Sequence, residues 1–308
     1  MNPSLDELRT LLVSARRIIW HRNSHLDDAA AQWFLRYVAD VGAEFVYQPN
    51  DTIQIDPLNG EIGLDVMHEH AIKGYKLENG GYSSVFRCVV EAFCPEGDLL
   101  REALVPLVKW VDTNDSCGSV TRAWLGDEHL DIEAVGLNSL HESYKVQFPG
   151  EDEKAMRAFG ESVLTPLMNL HRTLAVARCR MLEDCTFSLH GLIGVCDGPV
   201  PPEALRLPSR HLDQMARTRN QPLPQLLLYR DPNVGLGLVR IRGEIRLDDA
   251  RLQKRISSPE WFFHPGGFLA ACGTSTAPKN PENAGICLKD LLDFCLECFG
   301  SKEVHATL

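Results

Sequence analysis

The chain has 308 residues, 44% of them hydrophobic and 24% charged, which is an ordinary globular composition long enough for two domains. Its formal net charge of -11 argues against a broad basic surface for long duplex nucleic acid, but leaves room for a small nucleotide or a short single strand in a local groove. No stretch is long and apolar enough to span a membrane, and the acidic start Met1–Leu8 lacks a signal-peptide core, so no membrane partner and a cytoplasmic location are expected.

In chain order, Ser4 with Glu7 three residues on predicts a capped helix reaching Ala15. Arg17–Trp20 reads as a strand, and a helix is expected from Asp28 to about Val41 with Gly42 as its stop. Glu44–Gln48 and Glu61–Met67 read as strands, Ser83–Phe93 and Asp98–Val111 as helices. That β-α-β-β-α order implies a mainly parallel sheet with flanking helices. Asp115–Gly150 is less regular and is expected to be an insertion or lid. A helical pattern runs from Glu151 to Glu183, with Pro166 as a kink. Strands then read at Gly191–Cys196, Gln225–Tyr229 and Gly237–Ile241, with a turn at Asp231-Pro232-Asn233 and helices at Glu203–Arg219 and about Glu282–Phe299. The fold class is therefore α/β: an N-terminal sheet domain over 1–150, a helical connector over 151–185, and a smaller α+β domain over 186–308. The 10 cysteines lie mostly in apolar segments, which favours reduced, buried thiols, and the lone Cys295-x-x-Cys298 reads as packing.

The densest chemistry follows the first strand, in Trp20-His21-Arg22-Asn23-Ser24-His25-Leu26-Asp27-Asp28. Imidazoles and carboxylates at a strand-to-helix turn suit a divalent metal. The plainer reading makes Asp27 or Asp28 an N-cap and His21 a satisfied strand-end histidine. Three further clusters stand out: Asp65 followed by His68-Glu69-His70; Asp112 with Asp115, read as a helix running into a loop; and His264-Pro265-Gly266-Gly267-Phe268. Carboxylates at successive strand ends can converge on a metal pair, and a glycine-flanked turn can offer N–H groups to phosphate.

In this order the clusters resemble the DHH phosphoesterase superfamily, and most of all its Myg-type, exonuclease-like branch. Ser24-His25-Leu26-Asp27-Asp28-Ala29 is similar to the first motif, which implies metal-ligand roles for His25 and Asp27, with His21 matching the histidine that closes the preceding strand. Asp65 resembles the second-motif aspartate that bridges metals, and Asp112 the ligand of the Val-Asp-x-x-Asp segment. Tyr82-Ser83-Ser84-Val85 looks like the Ser-Ser helix start, and Phe263–Phe268 like the loop that contacts substrate phosphate. The Asp-His-His triplet itself is absent. Either Glu69 and His70 serve in a modified site, or the second metal position is lost and His68-Glu69-His70 is a solvated loop.

The resemblance implies a hydrolase using Mn2+ or Mg2+ on a phosphodiester or phosphoanhydride of a small nucleotide or short oligonucleotide. His21, His25, Asp27, Asp65 and Asp112 would hold metal, Asp65 and His70 would be catalytic, and His264, Gly266 and Gly267 would hold the substrate phosphate. The alternatives are a non-catalytic nucleotide-binding member with a degraded site, or an interaction module docking through the acidic stretch 127–153; a homodimer is a further partner expected.

Overall fold

The computed structural model describes residues 3–75, 82–127, 134–188, 192–199, 217, 220, 224–230, 235–274, 277 and 285–299. The expected helix at Glu203–Arg219, the turn at Asp231–Asn233 and the start of the last helix at Glu282 lie outside them, as does 128–133 of the proposed docking stretch. The protein is an α/β protein of two compact units, 1–172 and 173–308.

Unit 1 opens with α1 (Leu5–Ser14), whose N-terminus carries the expected capping box: Glu7 N–H donates to Ser4 Oγ and Ser4 N–H to the Glu7 carboxylate. β1 (Arg17–His21), β2 (Glu44–Gln48), β3 (Glu61–Leu64) and the two-residue β4 (Ala71–Ile72) form a parallel sheet in the order β2-β1-β3-β4. β1 is central and almost wholly buried, which is why Ile18-Ile19-Trp20 is an unbroken apolar run. Alternate residues serve opposite faces: Ile18 and Trp20 join the main core with α1, α2 (Leu26–Tyr37) and α3 (Val85–Phe93), while Ile19 joins a small cluster with Ile55 and Val66. α2 is buried along ten consecutive residues, Leu26–Leu35, as befits a helix enclosed by its neighbours.

Several boundaries differ from the sequence reading. α2 starts two residues early, because His25 is its N-cap, and stops before Gly42, where Asp40 turns left-handed at φ 52°. α4 (Leu99–Cys117) carries Asp112 and Asp115 inside the helix rather than in a following loop; the stop is Gly118 at φ 69°. The described residues of the segment after it are largely helical rather than irregular, with α5 (Val120–Leu125) and α6 (Leu137–Gln147), and Gly118, Gly126 and Gly136 stand at helix ends. α7 (Asp152–Phe159) runs through a π-helical turn at Gly160–Leu164 into α8 (Thr165–Asp184). The expected kink at Pro166 takes the form of that widened turn, since proline donates no hydrogen bond to the preceding turn.

Unit 2 is built on a mixed sheet, β5 (Cys185–Ser188), β6 (Ile193–Pro199), β7 (Leu226–Arg230), β8 (Leu236–Arg240), β9 (Phe262–Phe263) and β10 (Leu269–Cys272), in the order β5-β6-β7-β8-β10-β9. β6 and β7 are parallel and the other pairs antiparallel. Leu226, Leu228 and Leu238 pack against α9 (Ala250–Ile256) and α10 (Leu288–Phe299). Cys295 and Cys298 are buried in α10, and burial raises both thiols above their ordinary range, which disfavours the reactive thiolate.

Gly160 is where α2 and the π turn meet most closely: a Cβ built on it would lie 2.9 Å from Trp33 Cδ1. Gly160→Val is expected to cost about 1–3 kcal/mol through overpacking, read as a lowered melting temperature; wild-type stability would show that Trp33 has room to move.

Candidate metal centre

The site grows from strand order. β1 connects through α2 to β2 on one side, and the chain then returns to β3 on the other side of β1. The carboxyl ends of β1 and β3 therefore flank a topological switch point, where open parallel sheets bind ligands. His21 ends β1, and the register Ile19↔Gly63 continued by two residues sets Asp65 beside it. Asn23 turns left-handed at φ 56° and the chain enters α2 at His25. Asp65 is also left-handed, at φ 48°, a conformation that costs energy in a non-glycine residue.

Three side chains converge: single donor atoms of His21, His25 and Asp28 lie within 4.8 Å of one another. Asp28 is the third residue of α2, fully buried, and its Oδ2 has two neighbours. It accepts the His25 backbone N–H at 2.7 Å and faces His21 Nε2 at 3.0 Å. The His21 Nδ1 lies 2.7 Å from Arg22 O, which assigns that nitrogen as the N–H donor and turns Nε2 to the cluster. The rings of His21 and His25 stand edge to face, 5.2 Å apart. Asp28 Oδ1 is buried and has no hydrogen-bond partner among the described residues.

Electrostatics follow from this crowding of acids. The hydrogen bond to Asp28 raises the His21 pKa to about 9 against the opposing cost of burial. Burial, then Asp28 and Asp115, push Asp65 up to about 7. Asp115 reaches solvent, yet partial desolvation and then Asp28 raise it too. His25 contributes in the opposite sense at Asp115, so one turn of α4 faces the start of α2.

The structure places the other expected site residues differently. Asp27 gives both oxygens to the first amides of α3, accepting from Val85 and Phe86 N–H at 2.8 Å each. Burial and then Asp28 raise its pKa well above the ordinary range, against the pull of those amides. Asp112 accepts from Ser84 N–H and Oγ at 3.0 and 2.6 Å, and from the Arg87 guanidinium, Nε at 2.6 Å. His70 is not in the cluster: the pairing Ala71↔Gly63↔Ile19 sets it level with Ile18, three residues short of His21 and two strands away. Three residues of strand are about 10 Å. It stands with Glu69 and exposed Met67 on a solvent-facing loop, its N–H bonded to His68 Nδ1 at 3.2 Å.

In unit 2, His264–Phe268 is the turn between β9 and β10. Gly266 N–H donates to His264 Nδ1 at 2.9 Å and Gly267 N–H to His264 O at 2.8 Å, so both amides expected for phosphate are used inside the turn. Gly267 has φ 68°, and a Cβ there would lie 2.7 Å from Asp248 Oδ1. These glycines are explained by the turn's own geometry. Sequence reasoning placed Asp28 in the motif and offered it as an N-cap but did not name it among the ligands, and it missed His141 on α6, which is buried and close enough to Asp28 and His25 to interact electrostatically.

The residues fit a divalent cation. Two imidazoles and a carboxylate are a metal donor set, and the second nitrogen of His21 is held by a backbone carbonyl as metal-ligating histidines usually are.

No protein-family model matches the chain, and no curated protein matches it. Among solved structures it is similar to RecJ of Thermus thermophilus in complex with Mg2+, at 15% identity and TM-score 0.28 over 87% of this chain and 49% of that one. The Mn2+ complex gives 14% identity and TM-score 0.29 over 89% and 52%. An uncharacterized protein from Helicobacter pylori G27 aligns at 10% identity and TM-score 0.22 over 93% of this chain and 99% of its own. The chain spans about half the length of the RecJ chains it matches. No helix among the described residues is long and apolar enough to cross a membrane.

Asp27→Ala is expected to destabilise the protein, because it strands two buried amides at about 1–3 kcal/mol each; an unchanged denaturation midpoint would remove its anchoring role. A pH titration tests the electrostatics. Both raised groups, Asp65 and His21, bind more protons folded than unfolded, so each makes stability fall as pH rises. Asp65 acts between about 4 and 7 and His21 between about 6.5 and 9, as their pKa values move from ordinary to raised. Buried His141, held at about 4, works in the opposite sense below pH 6.5, so the test is the difference between variant and wild type: in EDTA-treated protein Asp65→Asn should gain melting temperature on wild type as pH rises from about 5 to 7. A difference that stays constant with pH would contradict the assignment.

Proposed function

We propose that the protein is a divalent-cation-dependent phosphoesterase acting on a small nucleotide or a short single-stranded oligonucleotide. The observation that carries this reading is the His21–His25–Asp28 cluster at the switch point of a parallel sheet. The ordered likeness of the motifs to the DHH phosphoesterases supplies the reaction class.

His21, His25 and Asp28 would hold the cation, with Asp65 and Asp115 close by. A bound divalent cation supplies Lewis acidity toward a phosphoryl oxygen. Two imidazoles with carboxylate oxygens favour Mn2+ over Mg2+, which prefers oxygen donors. The chain's own groups do the rest. His21 Nε2 gives up its proton when the cation binds, so occupancy rises with pH. Burial and the neighbouring carboxylates raise Asp65 to about 7 in the metal-free protein; a cation beside it would draw that value down and leave a carboxylate able to accept a proton. Asp27 and Asp112 act as struts: they fix α3 against α2 and α4 and keep the cluster's floor rigid. Half-buried His68 and exposed His70 lie outside the cluster and would serve neither role.

One observation favours the alternative of a cation-binding module without catalysis: among the described residues a single group of three donors meets the spacing for a metal. Calorimetry with Mn2+ joined to an assay on dinucleotides, cyclic dinucleotides, pyrophosphate and short RNA separates the two. Wild type is expected to bind Mn2+ and hydrolyse at least one substrate class. Asp28→Asn should lose more affinity than the roughly 10–100-fold cost of an outer-shell change, and His68→Ala should match wild type. Mn2+ binding with no hydrolysis would select the binding module; full Mn2+ affinity in Asp28→Asn would remove the cation site.

A further inference from the structure

α6 carries an imidazole that no role given so far uses. His141 is 1% exposed, and its ring lies 5.3 Å from that of Phe159. Its two nitrogens face different surroundings. Nδ1 lies 3.4 Å from the half-exposed carboxylate of Glu142, while Nε2 is buried and without a hydrogen-bond partner among the described residues. Burying a polar atom unpaired is costly, so a native site that does so calls for a ligand.

Two more such atoms lie on the helix that α6 packs against. Asp28 Oδ1 and Gln32 Nε2 are buried and unpartnered among the described residues, one helical turn apart on α2. Gln32 is oriented, because its Oε1 accepts from Tyr47 Oη, which turns its amide nitrogen the other way. Asp28 and His141 interact electrostatically. Burial holds the His141 imidazole below its ordinary range, so it stays neutral and presents either a lone pair or an N–H. The three atoms are thus an acceptor, a donor and a group able to be either. A single water lying between them would satisfy all three, donating to Asp28 Oδ1 and His141 Nε2 and accepting from Gln32 Nε2.

We propose that His141 is a positioning residue for the cation site: together with Gln32 it holds a buried water against Asp28 Oδ1 and so fixes the carboxylate that faces His21 and His25. This rests on the cation reading only for its consequence in metal affinity; the coupling of His141 to Asp28 exists with or without a cation.

The test has two arms. In EDTA-treated protein, urea midpoints of His141→Phe, Asp28→Asn and the double variant form a cycle, phenylalanine keeping the bulk against Phe159. The double variant is expected to shift by less than the sum of the single shifts; additive shifts overturn the proposal. In Mn2+ titrations, His141→Phe should bind about 10–100-fold more weakly, and His141→Gln, which returns a polar atom near the position of Nε2, should recover most of that loss. A change that merely loosened packing would not be rescued by glutamine, and unrescued loss or full affinity in His141→Phe each overturn the proposal. Should wild type bind no Mn2+, the phosphoesterase reading fails while the cycle still decides for or against His141.

Discussion

The contact between His21 Nε2 and Asp28 Oδ2, 3.0 Å apart and almost wholly out of solvent, is the constraint on which the rest of the centre depends. A neutral imidazole whose Nδ1 carries the proton would aim a lone pair at a carboxylate, which is repulsive. Something positive must lie between them. In the metal-free protein it is a proton, and the raised His21 pKa measures how firmly it is held. A divalent cation is the other particle that meets the same demand, with the advantage that His25 is also within its reach. Proton and cation therefore compete for one place.

That place is kept open by carboxylates that do not take part in it. Asp27 and Asp28 are neighbours in the first turn of α2, yet successive helix residues point about 100° apart. One faces the β1 end and the histidines; the other reaches α3 and accepts its first two amides. Asp112 holds the same end of α3 through Ser84 and Arg87. The N-terminus of α3 is thus gripped by two acids from two helices, an arrangement favoured by the helix dipole. The resemblance assigns Asp27 and Asp112 to metal; in the fold their oxygens accept from amides, hydroxyl and guanidinium, and neither is among the three donors that converge.

How much of this the sequence discloses depends on range. The break from the apolar β1 run into a polar turn and a helix is local, and so are the alternation of strands and helices, the Ser4 cap and the place of the cluster at a strand end. Which of Asp27 and Asp28 faces the histidines is not local, because it depends on where α3 docks. Nor does the chain announce that Asp112 and Asp115 stay helical; the stop is the left-handed Gly118, three residues beyond. His70 looks chemical beside Asp65, but the short return to β4 carries it back along the sheet. Gly266 and Gly267 look like a phosphate loop, whereas a tight hairpin turn uses the same residues for its own hydrogen bonds. His141 lies in a stretch whose glycines suggest irregular chain.

The sign of the charge at the centre ties the cation and the reaction together. Asp28 raises the pKa of both Asp65 and Asp115, and Asp115 adds to the rise at Asp65, which means their fields overlap in one small region. A phosphate ester brought there meets like charge in a setting where burial weakens screening. Under the proposed function, a cation held by these carboxylates would offset that repulsion and put positive charge where a phosphoryl oxygen has to sit. The proposed phosphoester reaction therefore depends on a divalent ion at this edge of the sheet, whereas binding of the ion depends on no reaction.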